Sequence, residues 1–263
     1  MIPIGDSVRS RTTPYVNISI IAINVVVFFY ELTLSATPGL FGSVSELDRF
    51  FYEWGSIPAC LSDRLGLDPA LDPRALAFCR EGHNGLLTVA SSMFMHGGWL
   101  HLIGNMIFLW VFGDNVEDAM GHVRYAVFYA VVGLGATAAH VAIGPDEFIP
   151  AIGASGAIAG VLGAYLLLYP RARVSAILPL FIFFWMPFQV PAIVLIGVWF
   201  VMQLLNGVAS LATADVVGAG GGVAWFAHIG GFVAGLVLVR LFVLGRSVPP
   251  PRPAPRRWRG REW

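Results

Sequence analysis

Long apolar runs separated by short polar breaks constrain this sequence more than any other feature. They lie near 17–35, 94–112, 123–143, 154–169, 190–208 and 223–244. Hydrophobic residues make up 57% of the 263 positions and charged residues only 12%, whereas soluble domains carry about 25% charged residues. Since a membrane-spanning helix needs about 20 apolar residues, the pattern predicts an all-α membrane protein with six transmembrane helices.

The sixteen basic residues, all of them arginine, orient these helices. They are enriched in segment 1–16, around Arg171 and in the Arg/Pro-rich tail 245–263. Cytoplasmic loops of membrane proteins carry an excess of basic residues, so both termini are predicted to be cytoplasmic, with a six-span domain 17–244 between them. We expect an integral protein of a bacterial plasma membrane, with a disordered tail that is attracted to anionic membrane lipid.

The segment 36–86, between the first two predicted helices, is the longest polar loop. Its stretches SELDRFFYEWG and PRALAFCRE mix aromatic and charged residues, as helices at a membrane surface do. We therefore expect a long interfacial loop on the extracytoplasmic side. Cys60 and Cys79 both fall in it, and the sequence leaves open whether they form a disulfide or remain free thiols.

The apolar segment 174–208 could hold either one span or two short ones. Pro187 and Pro191 interrupt it, which favours a surface-hugging stretch followed by a single span. A seventh span would also place the arginine-rich tail outside the cytoplasm, against the usual excess of basic residues on the cytoplasmic side. The six-span arrangement puts Ser155 and His228 at the same depth, which supports it independently.

Polar residues inside membrane spans are costly and are functional candidates by default. Small residues line one side of the fourth and of the sixth predicted helix, so these two helices are expected to touch. The small residues are Gly156, Gly160, Gly163 and Ala164, and Ala227, Gly231 and Gly235. The polar candidates at the outer level are His96, His101 and Asn105 on the second helix, Ser155 on the fourth and His228 on the sixth.

Ser155 and His228 together indicate nucleophilic catalysis. A serine hydroxyl is a weak nucleophile until a hydrogen-bonded base takes its proton, and His228 is the predicted base. Gly153 and Gly156 flank Ser155 and allow a tight turn beside a substrate backbone. The free N–H groups at the start of the fourth helix suit a developing oxyanion.

His101 and Asn105 lie four residues apart, on one face of the second helix, and offer further donors to an oxyanion. No acidic residue lies at this depth, so the sequence predicts a Ser–His dyad rather than a triad. His140 is interpreted as a hydrogen-bonding group between helices, and His83 and His122 as loop residues. A metal site built from the intramembrane histidines lacks both a His-Glu-x-x-His pattern and a carboxylate, so no metal is expected. No cofactor or nucleic acid is expected either.

Three short motifs resemble those of rhomboid intramembrane serine proteases, and the resemblance covers most of 86–240. The string from His96 to Met106 resembles the family's His-x₄-His-x₃-Asn pattern, and the spacing of Gly113, Glu117 and Gly121 also matches. Gly153-Ala154-Ser155-Gly156 resembles GxSG, and Ala227-His228-x-x-Gly231-x-x-x-Gly235 resembles AHxxGxxxG. Three such motifs in the family's order are far more specific than any one of them.

The resemblance implies a rhomboid-like bundle with Ser155 as nucleophile and His228 as general base. It implies that His101, Asn105 and the backbone N–H of Ser155 stabilise the oxyanion, with His96 in a supporting role. Substrates would be single-span transmembrane proteins, cut near the extracytoplasmic boundary after a small side chain. The insert 36–86 resembles the family's first loop, and the fifth span with the loop before it resembles its lateral gate.

Some family members have a tyrosine on the catalytic imidazole where this sequence has Ala159, so the support of His228 is an open point. Another aromatic residue, such as Trp225, could replace it. The main alternative function is a catalytically inactive relative that binds and escorts transmembrane clients, although such proteins usually lack the serine or the histidine. A channel or transporter lined by the histidines is a third hypothesis, which no internal repeat supports.

Overall fold

The computed structural model describes residues 1–37, 44–67, 69–181, 184–217 and 224–248, and most of them are helical. The helices are α1 (Tyr15–Glu31), α2 (Glu46–Trp54), α3 (Pro58–Arg64), α4 (Pro73–Glu81), α5 (Thr88–Ser91), α6 (Trp99–Phe108), α7 (Asp114–Met120), α8 (His122–Ile143), α9 (Ser155–Leu168), α10 (Ala192–Val217) and α11 (Trp225–Phe242). The strands are β1 (Ile2–Asp6), β2 (Arg173–Phe181) and β3 (Phe184–Pro191). Most of the predicted disordered tail, 249–263, lies outside the described residues.

Each of the six predicted apolar runs contains a helix. Among the described residues, α8, α11 and the part Ala192–Leu211 of α10 are long and apolar enough to cross a membrane alone. The segments Gly85–Phe94 and Trp99–Met120 meet the same criterion as a pair bent by 81°, while α1 and α9 are shorter apolar helices. The predicted helical membrane bundle is therefore confirmed.

The fourth and sixth apolar helices, α9 and α11, touch along their glycines, as predicted. A Cβ atom on Gly231 would overlap the carbonyl oxygen of Gly156, and one on Gly235 would overlap that of Gly160. Helix α8 packs against the same pair, with Val132 against Gly160. Small side chains let helix backbones approach closely in lipid, where packing contacts drive association.

A three-stranded antiparallel sheet in the order β1-β2-β3 is the main feature that the sequence did not predict. Asp6 lies opposite Val174, which in turn lies opposite Val190. The stretch expected to follow the membrane surface is thus a hairpin that binds the N-terminal segment. Short apolar runs fit a strand or a helix equally well, so periodicity could not reveal the hairpin.

The segments that the arginines assign to the cytoplasmic side meet at one end of the bundle. The backbone N–H and the hydroxyl of Thr12 both donate to Asp118, at 3.1 and 2.8 Å, and Arg11 forms an ion pair with the same carboxylate at 3.1 Å. Arg246, after α11, donates to the carbonyl of Ala119 at 2.8 Å. The N-terminal segment, α7 and the start of the tail therefore form one polar layer.

The insert between α1 and α5 lies at the opposite end. Its helices α2 and α4 coincide with the two stretches predicted to be interfacial helices. Ser56 and Ala151 exchange backbone hydrogen bonds of 3.0 and 2.8 Å, which join the insert to the loop after α8. Cys60 and Cys79 form a disulfide, so the pairing that the sequence left open is present.

Candidate active site

Ser155 is the first residue of α9, and Gly153 prepares the turn that precedes it. Gly153 has a φ of +127°, in the region that favours glycine, and its N–H donates to the carbonyl of Ser92 at 2.8 Å. A Cβ atom on Gly153 would lie 2.7 Å from the ring of His101. The residue must be glycine both for its backbone conformation and for the close approach of this imidazole.

Ser155 and His228 are hydrogen-bonded, with the serine Oγ 2.7 Å from the imidazole Nε2. The two residues are 73 positions apart in sequence, and the glycine contacts between α9 and α11 bring them together. His228 lies one turn into α11 and is 9% exposed. The imidazole is therefore buried in the bundle, whereas Ser155 is half-buried.

The imidazole of His228 is surrounded by side chains from two helices. Its Nδ1 lies 2.8 Å from Oε1 of Gln203 on α10. The ring centroids of Trp199, also on α10, and Trp225 lie 6.1 and 6.2 Å from it. Ala159, the position of the missing tyrosine, is fully buried in the core.

The sequence suggested Trp225 as a replacement for that tyrosine. The contacts of Gln203 and Trp199 with His228 were not predicted. The available signal was a glutamine in a largely apolar run, because polar side chains inside spans are costly and usually have a partner.

His101 and Asn105 both lie on α6 and line the same cavity as the serine and the histidine. One side-chain N–H of Asn105 is directed at Nε2 of His96, at 3.0 Å. Within the described residues, His101 has no hydrogen-bond partner, although its ring lies 4.9 Å from that of His96. Two donors are thus available to a ligand beside Ser155.

The prediction that His96 lies on the second transmembrane helix is wrong. Helix α6 begins at Trp99, and His96 belongs to the non-helical segment before it. The backbone N–H of His96 lies 3.1 and 3.3 Å from the two carboxylate oxygens of Glu31, at the buried end of α1. Glu31 therefore holds this segment out of the helix. This role of Glu31 was not recognised from the sequence.

A cavity of about 750 Å³ contains Ser155, His228, His101 and Asn105 on its wall. Most of the remaining lining is apolar. The polar exceptions are Glu147, His140 and Gln203, and the Glu147 carboxylate pairs with Nε2 of His140 at 3.0 Å.

His140 is a hydrogen-bonding group, as predicted, although its partner is in a loop rather than on another helix. His83 bonds the carbonyl of Gly55 in the insert, and His122 begins α8 and contacts Glu117 at the opposite end. In the parts of the chain that are described, no three His, Cys, Asp or Glu side chains form a group able to hold a metal ion. The expected absence of a metal stays a prediction.

A family model for the rhomboid domain matches residues 83–245, which is more than half of the chain. The chain belongs to the rhomboid family. The match includes the turn before Ser155 as well as α6, α9 and α11, so it covers every element that carries a candidate residue. Most of the insert, including its disulfide, lies before the matched region of this rhomboid.

Curated relatives agree with this assignment. RHOMBOID-like protein 1 of Arabidopsis thaliana is 24% identical over 240 residues, covering 88% of this chain and 54% of the relative. Rhomboid protein 1, mitochondrial, of Saccharomyces cerevisiae is 29% identical over 160 residues, covering 57% and 40%. RHOMBOID-like protein 5 of A. thaliana is 38% identical over 76 residues, covering 29% and 25%. The chain thus spans about a quarter to a half of the length of these relatives.

Proposed function

We propose that this rhomboid is an intramembrane serine endopeptidase that uses Ser155 as nucleophile and His228 as general base. The observation that supports this most directly is the 2.7 Å contact between Ser155 Oγ and His228 Nε2 inside the bundle. The contact faces a cavity that also presents His101 and Asn105. A half-buried serine paired with a buried imidazole and adjacent to free donors has the parts that acyl transfer needs.

The proposed reaction begins when Ser155 Oγ attacks the carbonyl carbon of the scissile peptide bond and its proton passes to His228 Nε2. The negative charge on the carbonyl oxygen is stabilised by the side chains of His101 and Asn105 and by the backbone N–H of Ser155. The protonated imidazole then gives its proton to the leaving amine. A water molecule, deprotonated by the same imidazole, hydrolyses the ester and regenerates Ser155.

We further propose that the substrates are single-span transmembrane proteins, cut near the extracytoplasmic boundary. In this arrangement the domain 17–244 crosses the membrane six times with both termini cytoplasmic, and the loop 36–86 is outside. The Cys60–Cys79 disulfide supports that placement, because disulfides persist in oxidising compartments. A bacterial plasma membrane stays a prediction, since the relatives above do not address it.

The test is cleavage of a purified single-span substrate by the protein in detergent or liposomes. Ser155→Ala and His228→Ala are each expected to abolish cleavage, while Ser19→Ala, an exposed serine on α1, serves as the matched control. A serine-directed fluorophosphonate should label the parent and not Ser155→Ala. Cleavage by both site variants at the parent rate would overturn the proposal, and a parent that binds substrates without cutting them would favour the escort function.

A further inference from the structure

Gln203 is a buried polar side chain on a helix that is otherwise largely exposed and apolar. Its neighbours Met202, Leu204 and Leu205 are 49%, 39% and 60% exposed, whereas Gln203 is 7% exposed. A glutamine in an apolar helix loses its hydration, and that loss is repaid only if its amide finds partners. Both of its polar atoms do so near the candidate dyad.

The two contacts of Gln203 fix which way its amide faces. Nε2 donates to the backbone carbonyl of Trp199 at 3.3 Å, and Oε1 lies 2.8 Å from Nδ1 of His228. A carbonyl oxygen can only accept, so the amide nitrogen must face Trp199 and the amide oxygen must face the imidazole. Because Oε1 can only accept as well, Nδ1 of His228 must carry the proton.

This tautomer is the one that a general base requires. With the proton on Nδ1, the other ring nitrogen, Nε2, is free to accept the hydroxyl proton of Ser155 across the 2.7 Å contact. In Ser–His–Asp triads an acidic residue holds the imidazole in this orientation. Among the described residues no carboxylate bonds to His228, and the amide of Gln203 occupies that place.

We propose that Gln203 is the positioning residue for His228, fixing its tautomer and ring orientation from α10; the inference rests on the proposed protease function. It acts through the imidazole and does not touch the reacting atoms. A neutral acceptor gives this support without burying another charge, which would be costly in a membrane. Gln203 also takes the place of the tyrosine that supports the imidazole in some family members, where this chain has Ala159.

The test compares Gln203→Leu and Gln203→Ala with Ser19→Ala, which changes an exposed polar residue on α1, away from the site. Both Gln203 variants are expected to lower kcat about 10–100-fold with KM changed less than about twofold, since a triad acid that orients its histidine gives up to about 10⁴. Ser19→Ala is expected to cleave at the parent rate. A folded Gln203 variant with kcat within about twofold of the parent would overturn the proposal.

Gln203→Glu separates positioning from a structural role. It keeps an acceptor for Nδ1, so we expect it to cleave faster than Gln203→Leu, and the acidic limb of its pH–rate profile should move to higher pH because a carboxylate stabilises the imidazolium. Activity as low as that of Gln203→Leu with an unmoved profile would mean that Gln203 only packs the helices.

A measurement on the parent protein needs no Gln203 variant. The ¹⁵N resonances of the neutral His228 ring, assigned by their loss in His228→Ala, are expected to show a protonated Nδ1 and an unprotonated Nε2. The opposite tautomer would refute the positioning role even if every Gln203 variant failed to fold. Ser155→Ala in the same cleavage assay tests the protease proposal itself. The protease proposal fails if that variant still cleaves, and the results for Gln203 are judged separately.

Discussion

Two polar regions, one at each end of the bundle, interrupt its apolar interior, and they differ in what their central side chains contact. At the end near α7, the fully buried Glu117 accepts from the backbone N–H groups of Val16 and Asn17 at 3.0 and 2.7 Å, and it also contacts His122 at 2.5 Å. The hydrogen-bonding capacity of the Glu117 carboxylate is therefore filled by groups of the protein itself. This region joins the N-terminal segment and α1 to α7.

At the other end, donors face a cavity instead of a partner. Asn105 uses one N–H on His96, and His101 has no partner among the described residues. Unsatisfied donors in a buried site cost folding free energy unless a ligand or a transition state uses them. The comparison therefore separates a region whose hydrogen bonds hold the fold from one whose free donors fit the proposed chemistry.

The largest expected difference comes from the same substitution made in each region. Asn105→Ala should lower kcat about 10²–10³-fold with little change in melting temperature, since it removes a proposed oxyanion donor. Asn17→Ala, which removes bonds to Leu109 and Tyr125, should lower the melting temperature and leave kcat per folded molecule unchanged. Substrate cleavage and thermal unfolding measure both, and a reversed pattern would break the comparison.

Glu117→Ala is the sharper probe of the α7 region. It leaves the buried N–H groups of Val16 and Asn17 without an acceptor, so the free energy of unfolding should fall by about 2–4 kcal/mol. Glu117→Gln keeps one acceptor oxygen and should lose less. Unfolding by heat or by SDS measures the loss, and a folded variant with a strongly reduced kcat would show that this region also serves the site.

The disulfide tests whether the insert belongs to the fold or to the chemistry. Cys60 and Cys79 are separated by 19 positions, and closing a loop of this length constrains the unfolded chain by about 3 kcal/mol. Cys79→Ser, or treatment with a reductant, should therefore lower the melting temperature. Cleavage of a transmembrane substrate below the melting temperature should stay within about twofold, and a larger loss would place the insert in substrate handling.

The last expected effect is a pH dependence of stability at the α7 end. Burial raises the pKa of Asp6 from 3.8 to about 7, and burial also raises the pKa of the neighbouring Asp114. The folded state then holds a proton that the unfolded state releases above about pH 4, so stability falls as pH rises to about 7 and is level beyond it. Melting curves should show this slope, and Asp6→Asn should reduce it; an unchanged slope would assign it to other groups.

The sequence anticipated much of the fold for a simple reason. Helices in lipid must be apolar and about 20 residues long, so six runs were visible without any knowledge of contacts. Glycines at helical spacing on the fourth and sixth runs predicted the α9–α11 contact in the same way. The candidate residues Ser155, His228, His101 and Asn105 stood out because polar groups are rare in such runs.

The sequence did not predict three features: the sheet, the placement of His96 and the partners of the site residues. The hairpin of β2 and β3 has the same apolar character as a helix, and only the pairing of β2 with β3 and with β1 defines it. His96 seemed helical because the apolar run continues through it, but Glu31 on α1 holds its backbone elsewhere.

By itself, the sequence determined which segments avoid water and which polar residues lie among them, because solvation depends on composition and local spacing. Only the tertiary structure decided which polar atoms meet. Gln203 and His228 are separated by 25 positions, and Ser155 and His228 by 73. Contacts of this kind depend on how glycine-lined helices pack and rotate against each other, which no local pattern records.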